Sequence, residues 1–255
     1  GNPVIRTVNA PEFTIEDIRY ENMGTYILEV RNSLFSGDDE LVLTSEPQRI
    51  LASTTLTVEA VYKDIDNEDA LLVSGDATGE LYRVTSSGRY RAVGDTVDIV
   101  DRKITFEKVV LDNYVTLVRP VSPLIIKDND GREDSVEVLP TYYRSTIDWV
   151  EATVIELRDP FEDSVFMEQQ PRPLPDIPDG GELAMLVESD FAEDGEEGSR
   201  IDARRRVKKA GCSLRRRVTG GGRTDQDADG FELIAYKETD DQGNVSFGDL
   251  PPGEY

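Results

Sequence analysis

Histidine is absent from this sequence. Without an imidazole there is no Ser-His-Asp or Cys-His constellation, and no zinc site that relies on a His ligand. Cysteine is nearly absent too: Cys212 stands alone, so no internal disulfide forms. It lies in Ala210-Gly-Cys-Ser-Leu214, where a small buried hydrophobe is the expected role and a reactive thiol the alternative. So little cysteine suits either a reducing compartment or a prokaryotic exterior. No stretch approaches the ~18 apolar residues of a transmembrane helix. The first residues, Gly1-Asn-Pro, carry neither Met nor a signal or transit pattern, so a mature or excised piece of something longer is expected. Lysine is scarce, 7 residues against 21 Arg.

What is abundant is carboxylate. Asp and Glu number 52 against 28 Lys and Arg, a formal net charge of −24. One reading is a highly soluble surface protein; the other is a chain adapted to high salt, where self-repulsion is screened. Either argues against the whole chain binding nucleic acid or an anionic membrane. The length, 255 residues, suffices for two or three modest domains, each with its own core.

The N-terminal part reads as strand after strand. Val4 to Val8, Phe13 to Ile18, Thr25 to Val30 and Leu41 to Thr44 are short β-prone runs, with turn residues such as Gly24 and Ser36-Gly37-Asp38 between them. From Thr54 to Tyr62 the alternation is clean: Thr54, Leu56, Val58, Ala60 and Tyr62 on one face, Thr55, Thr57 and Glu59 on the other. Runs near Leu71, Leu81, Val97, Ile104 and Tyr114 follow about every ten residues, as sandwiches and barrels do. Thr146 to Arg158 suits a strand or a helix, with strand preferred for its β-branched content. Trp149 within it is expected in core or interdomain packing. The expected class is all-β: tandem β-sandwich domains, Ig-like or prealbumin-like, joined by a Pro-rich linker. The divisions are a β-rich region over 1–158, with room for two small sandwiches parted near 46–53; a linker over 159–181; and a C-terminal module over 182–255. The linker is drawn from Pro160, Pro171, Pro173, Pro175, Pro178 and Gly180-Gly181. The module opens at Glu182-Leu-Ala-Met-Leu-Val-Glu188.

The last stretch carries the most specific signal. Phe231 to Lys237 is a strand, Asp240 to Gly243 a tight turn, and Asn244 to Phe247 a second strand ended by Pro251-Pro252-Gly253. Thr239, Asp240, Gly243, Val245, Phe247, Leu250, Pro252, Gly253 and Tyr255 together resemble the signature of the B-type repeats of collagen adhesins. Those repeats are relatives of the prealbumin-like and carboxypeptidase-regulatory-like sandwiches. The resemblance covers about a tenth of the chain. It implies a small sandwich used as stalk or spacer in surface and secreted proteins; it does not imply an active site. The family continues past the Tyr with one more strand, so the resemblance further implies a last strand that is missing, disordered or supplied by something else.

Three acidic loops have carboxylate spacing suited to calcium. The best, Asp225-Gln-Asp-Ala-Asp-Gly230, resembles the opening of an EF-hand-type loop, with Asp225, Asp227 and Asp229 as ligands. The twelfth position is Tyr236 where that loop needs Glu, so a ligand would be borrowed, with Glu232 the candidate. The others are Asp128 to Asp134 and Asp64 to Asp69; acidic turns are also simply common in so acidic a chain. The one basic cluster spans Arg204 to Arg217. Arg204, Arg205, Arg206, Arg215, Arg216 and Arg217 are its candidate partner contacts: charge pairing with acidic loops inside or between molecules, docking to an anionic partner such as a glycan, or proteolytic processing. Nothing singles out a catalytic carboxylate pair among so many, and Gly220-Gly-Gly-Arg223 lacks the Lys-Ser/Thr of a phosphate loop.

The expected function is therefore non-enzymatic. It is a structural or adhesion component of an extracellular or cell-surface protein or filament, self-associating or meeting neighbouring subunits by strand addition. The alternatives are a structural protein of a virus particle or tail, and a calcium-dependent glycan-binding module.

Overall fold

The computed structural model of the protein describes residues 14–15, 18–31, 42–62, 70–71, 77–127, 133–167, 171, 180–189, 205–217 and 230–255. Among these there is no α-helix, and the chain is an all-β protein built of several sheets. No described helix is long and apolar enough to cross a membrane. The expected strands before Phe13, and most of the Phe13 to Ile18 run, lie outside the described residues.

The first strands form a ribbon. β1 (Gly24–Tyr26) pairs antiparallel with β4 (Gln48–Ile50), and β2 (Glu29–Arg31) with β3 (Val42–Thr44). Leu28 and Ser45 join the two ladders: Ser45 N donates to Leu28 O at 2.8 Å, and Leu28 N to Ser45 Oγ at 2.9 Å. The ribbon leaves Ile27, Leu28, Val30 and Leu43 exposed. Its root is tied down by Met23, which packs on the main core, and by the Arg158 guanidinium stacked 3.9 Å over the Tyr20 ring.

The main core is a sandwich. In chain order its strands are β5 (Ser53–Tyr62), β6 (Ala70–Leu71), β7 (Ala77–Val84), β8 (Tyr90–Ala92), β9 (Val97–Asp98) and β10 (Lys103–Val110). There follow β11 (Asn113–Pro120), β12 (Leu124–Lys127), β13 (Glu133–Val136), β14 (Thr141–Tyr142), β15 (Ile155–Glu156) and β16 (Phe161–Met167). One sheet runs β10-β5-β16, with β6 also on β5; the other runs β14-β11-β7-β8, with β15 on β11 and β9 on β7. β12 and β13 form a separate hairpin. The period-two pattern of β5 places Leu56, Val58, Ala60 and Tyr62 inside, as the alternation predicts. In β10, Ile104 and Phe106 are buried, and a bulge around Lys108 (φ 53°) then changes the phase so that Val109 also faces in. One core unites residues from Leu56 to Met167.

Three expectations are corrected. The prolines after Asp159 suggest linker, but Phe161–Met167 is a strand running parallel to β5, with Val165 and Met167 buried in the main core. A single proline at its mouth ends nothing: Pro160 merely precedes the strand, where a missing N–H costs no ladder bond. Of the rest of 159–181, only Arg158's neighbour Asp159, Pro160, Pro171, Gly180 and Gly181 are further described. Trp149, expected in packing, is 56% exposed in a turn, its ring edge-on to Tyr90 at 5.7 Å. Thr146 to Arg158 is mostly turn, with only Ile155–Glu156 as strand.

A second, smaller core lies in the C-terminal strands β17 (Gly181–Leu186), β18 (Glu188–Ser189), β19 (Arg205–Arg206), β20 (Gly211–Arg217), β21 (Phe231–Glu238) and β22 (Asn244–Leu250). β17 pairs with β22, β18 with β19 and β20 with β21. Leu214, Val245, Phe247 and Leu250 are buried between them, with Cys212, Ile234 and Ala235 alongside. The turn before β22 is built as its sequence predicts. Asp240 Oδ1 accepts from Gln242 N and Asn244 N, each at 2.8 Å, and Gly243 takes φ 78°. Thr239 is buried here: its hydroxyl donates to Val207 O at 2.6 Å and accepts from Ala210 N at 2.9 Å. β22 stops at Leu250, where Pro251 and Pro252 follow.

Candidate functional site

Two features of the C-terminal strands stand out: an open strand edge and a charged junction with the sandwich. The edge belongs to β17. Val187 N donates to Gly243 O at 2.9 Å and Val187 O accepts from Val207 N at 3.0 Å, so both polar groups of Val187 point toward the β22 side. Strand alternation then turns the N–H and C=O of Ala184 and Leu186 the other way. Among the described residues no strand lies there. The side chains tell the same story. Leu183 is opposite Phe247 and Met185 opposite Val245, so these four share the core face. Phe247 and Val245 are 2% and 5% exposed, yet Leu183 and Met185 are 37% and 38% exposed. Among the described residues the core is covered on the β22 side of the ribbon and only partly covered on the β17 side. A shallow hollow of about 500 Å³ runs beside it, lined in part by Met185, Leu186 and Ser246.

The junction is formed on the outer face of the β14-β11-β7 sheet. Cross-strand pairing places Glu80 beside Leu117 and Tyr82 beside Val115, with Arg119 and Tyr142 on the same face. Val115 and Leu117 are buried although they point away from the main core's facing sheet. Arg119 Nε donates to Glu80 Oε1 at 2.8 Å, and its Nη1 donates to Glu238 Oε1 on β21. The Tyr82 hydroxyl donates to the other Glu80 oxygen. Burial pushes the Tyr82, Tyr142 and Tyr236 phenols up, and the nearby Glu80 and Glu238 carboxylates add to this. Burial alone would also raise Glu80, but the hydrogen bond from Tyr82 and the pairing with Arg119 outweigh it and hold its carboxyl below the ordinary value of 4.5. Burial disfavours the Arg119 charge, yet Glu80 and Glu238 over-compensate and raise its pKa. A second contact lies at the turn after β14. Asp148 accepts from Arg215 Nη2 at 2.8 Å and from Ser213 Oγ at 3.2 Å, both on β20.

A pH dependence follows from Glu80. Its ionised form contributes stability in full above about 4.5, the unfolded value, and loses it as pH falls through the lower folded value. Melting temperature recorded against pH is expected to carry an acid limb that Glu80→Gln flattens. An unchanged limb in the variant would mean that other carboxylates carry it.

The residues expected to meet partners are dispersed. Arg204 lies outside the described residues; Arg205 and Arg206 form β19, opposite Ser189 and Glu188. Arg215 turns to Asp148, Arg216 Nη2 donates to Pro252 O at 3.4 Å, and Arg217 pairs with Glu254 at 3.2 Å. Asp225, Asp227 and Asp229 lie outside the described residues, while Glu232 is an exposed residue of β21 opposite Arg216. The acidic loops at 64–69 and 128–132 lie outside them as well. Among the described residues no three Cys, Asp or Glu side chains gather as metal ligands would. Cys212 is half-buried against the small core, its thiol pKa raised by burial.

Sequence reasoning missed Glu80, Arg119, Asp148 and Glu238. Each is one charge among many, and the separations between them (39 residues from Glu80 to Arg119 and 119 from Arg119 to Glu238) leave no local pattern.

No family model matches the sequence, and no curated protein matches it. Among solved structures the chain is similar to the Bacillus anthracis TIE protein. The match covers 91% of this chain and 34% of that one, with 10% identity and a TM-score of 0.25.

Proposed function

We propose that the protein is a non-enzymatic structural or adhesion component of an extracellular surface protein or filament, in which the sandwich modules serve as stalk and subunit-contact units. The resemblance of Thr239 to Tyr255 to collagen-adhesin B-type repeats belongs to this reading. The observation that carries it is the β17 edge. Among the described residues no strand pairs with the outward-facing Ala184 and Leu186 amides, and with half-covered Leu183 and Met185 they form a template for one more strand, which would complete both the ladder and the small core. A two-stranded ribbon is marginal in water, and a third strand on a shared apolar face is what makes such a sheet stable. The strongly acidic surface keeps this contact specific, because an added strand must offset charge repulsion by backbone pairing and apolar burial.

Analytical ultracentrifugation of the chain, with calcium and with a chelator, at low and high salt, tests it. Concentration-dependent association that ignores calcium and strengthens with salt supports strand addition. A monomer whose compactness follows calcium would favour a metal-stiffened spacer or glycan-binding module instead. The companion variant is Ala184→Pro, which removes an N–H that the β17–β22 ladder does not use. It is expected to abolish association while leaving the melting temperature within a few degrees of the parent. Association that survives the substitution would place the contact elsewhere.

A further inference from the structure

We propose that the C-terminal module is docked on the outer face of the β14-β11-β7 sheet by a two-point clamp, Arg119 with Glu238 and Asp148 with Arg215 and Ser213, so that the two cores keep one fixed angle. Neighbouring modules in one chain move relative to each other by default unless their interface is large and apolar. Here the face between them combines buried Val115 and Leu117 and the half-buried Tyr82, Tyr142 and Tyr236 with a charged network, and the charged contacts supply the direction that apolar burial lacks.

Arg119 is suited to this because it acts in two directions at once. Its Nε holds Glu80 on the adjacent strand β7, which orients the guanidinium, and Nη1 reaches across to Glu238 on β21. Both Arg119 and Glu80 side chains are 21% exposed and Glu238 is 30% exposed, so the network is shielded from bulk water and salt screens it weakly. A lysine has one compact ammonium and no fork, and does not span the two carboxylates in this way. One ion pair sets a distance; it does not set an angle. The Asp148 contact comes from a different part of the sandwich, the turn carrying Trp149, and grips a different strand, β20. Two separated anchors on two strands of the module remove rotation about either one. The Tyr82 hydroxyl donates to Glu80, and half-buried Tyr142 and Tyr236 lie near enough to feel the Arg119 charge, so the first anchor is partly shielded from water. The clamp operates whether or not a neighbour adds a strand at β17, so it stands apart from the assembly reading.

The test uses the full chain with spin labels at two exposed turns, one on each module, through Ser87→Cys and Gln242→Cys in a Cys212→Ser background. The double electron–electron resonance trace is expected to give one narrow distance that persists in high salt. Glu238→Gln and Asp148→Ala each weaken one anchor, and the double variant is expected to lose the single distance and give a broad distribution. The melting temperature of the main core stays near the parent value, which separates undocking from unfolding. Glu238→Gln keeps the size of its side chain, so it serves where removal of Asp148 disturbs the turn. A double variant that keeps the narrow distance would overturn the proposal, as would a parent protein that is already broad.

Discussion

A Gly79→Val variant is expected to lose much of the main sandwich's stability. Gly79 lies on β7 facing the opposite sheet, and a Cβ there would come within 2.3 Å of Ile104 Cγ2 and 3.0 Å of the Phe106 ring. Ile104 is fully buried and fixed by β-branching, so it has nowhere to swing. The backbone at Gly79 is ordinary extended strand, so the cost is one of space: the two sheets meet across a bare backbone. Overpacking of this kind costs roughly 1–3 kcal/mol and more where the neighbours cannot yield, which places this variant at or beyond the upper end. A urea titration should show a lower midpoint with unchanged slope. Ile104→Ala removes the clashing methyl, so the double variant is expected to lose clearly less than the sum of the two single losses. Strict additivity would mean that the sheets do not meet at this point.

The second large effect is Phe247→Ala. Phe247 is 2% exposed and is the largest fully buried side chain among the described residues, of which Leu214, Val245 and Leu250 share its core. Truncating a buried Phe costs roughly 3–5 kcal/mol in ordinary cores. A core with four buried members among the described residues has little reserve. The C-terminal strands are expected to open while the main sandwich persists. Hydrogen exchange resolves this: amides of β20, β21 and β22 should lose protection, and those of β5, β10 and β11 should keep it. Equal loss in both sets would show that the two cores unfold as one unit.

Much of the local structure was legible in the residues. The alternation from Thr54 to Tyr62 predicted which side chains of β5 point inward, because a strand's side-chain period is two whatever surrounds it. The turn at Asp240 to Gly243 was equally plain, since an Asp accepting its own backbone amides and a Gly at positive φ need no distant partner. Where sequence reasoning went astray, the deciding contact was remote. Phe161 to Met167 sits among prolines and reads as linker, but it becomes a core strand because β5, about a hundred residues earlier, offers a free edge in parallel register. Trp149 reads as core or interdomain packing, yet its turn leaves it 56% exposed.

The candidate site divides in the same way. The strand at Glu182 to Glu188 was visible in the sequence; that no described strand pairs with its far edge depends on Gly243 and Val207 both lying on the β22 side of Val187. The residues from Arg204 to Arg217 were conspicuous as a charge run, but the fold sends Arg215 to Asp148 and Arg217 to Glu254. Arg119 was inconspicuous, and the fold makes it the meeting point of two carboxylates from β7 and β21. Composition and short-range pattern by themselves determined that the protein is all-β, without disulfides or imidazole chemistry, and where most strands and turns fall, because those properties depend on single residues and their near neighbours. Only the tertiary structure decided which strands pair, which charges meet and which edge is left uncovered, because each of these is a choice among many equivalent partners made by packing across long chain separations.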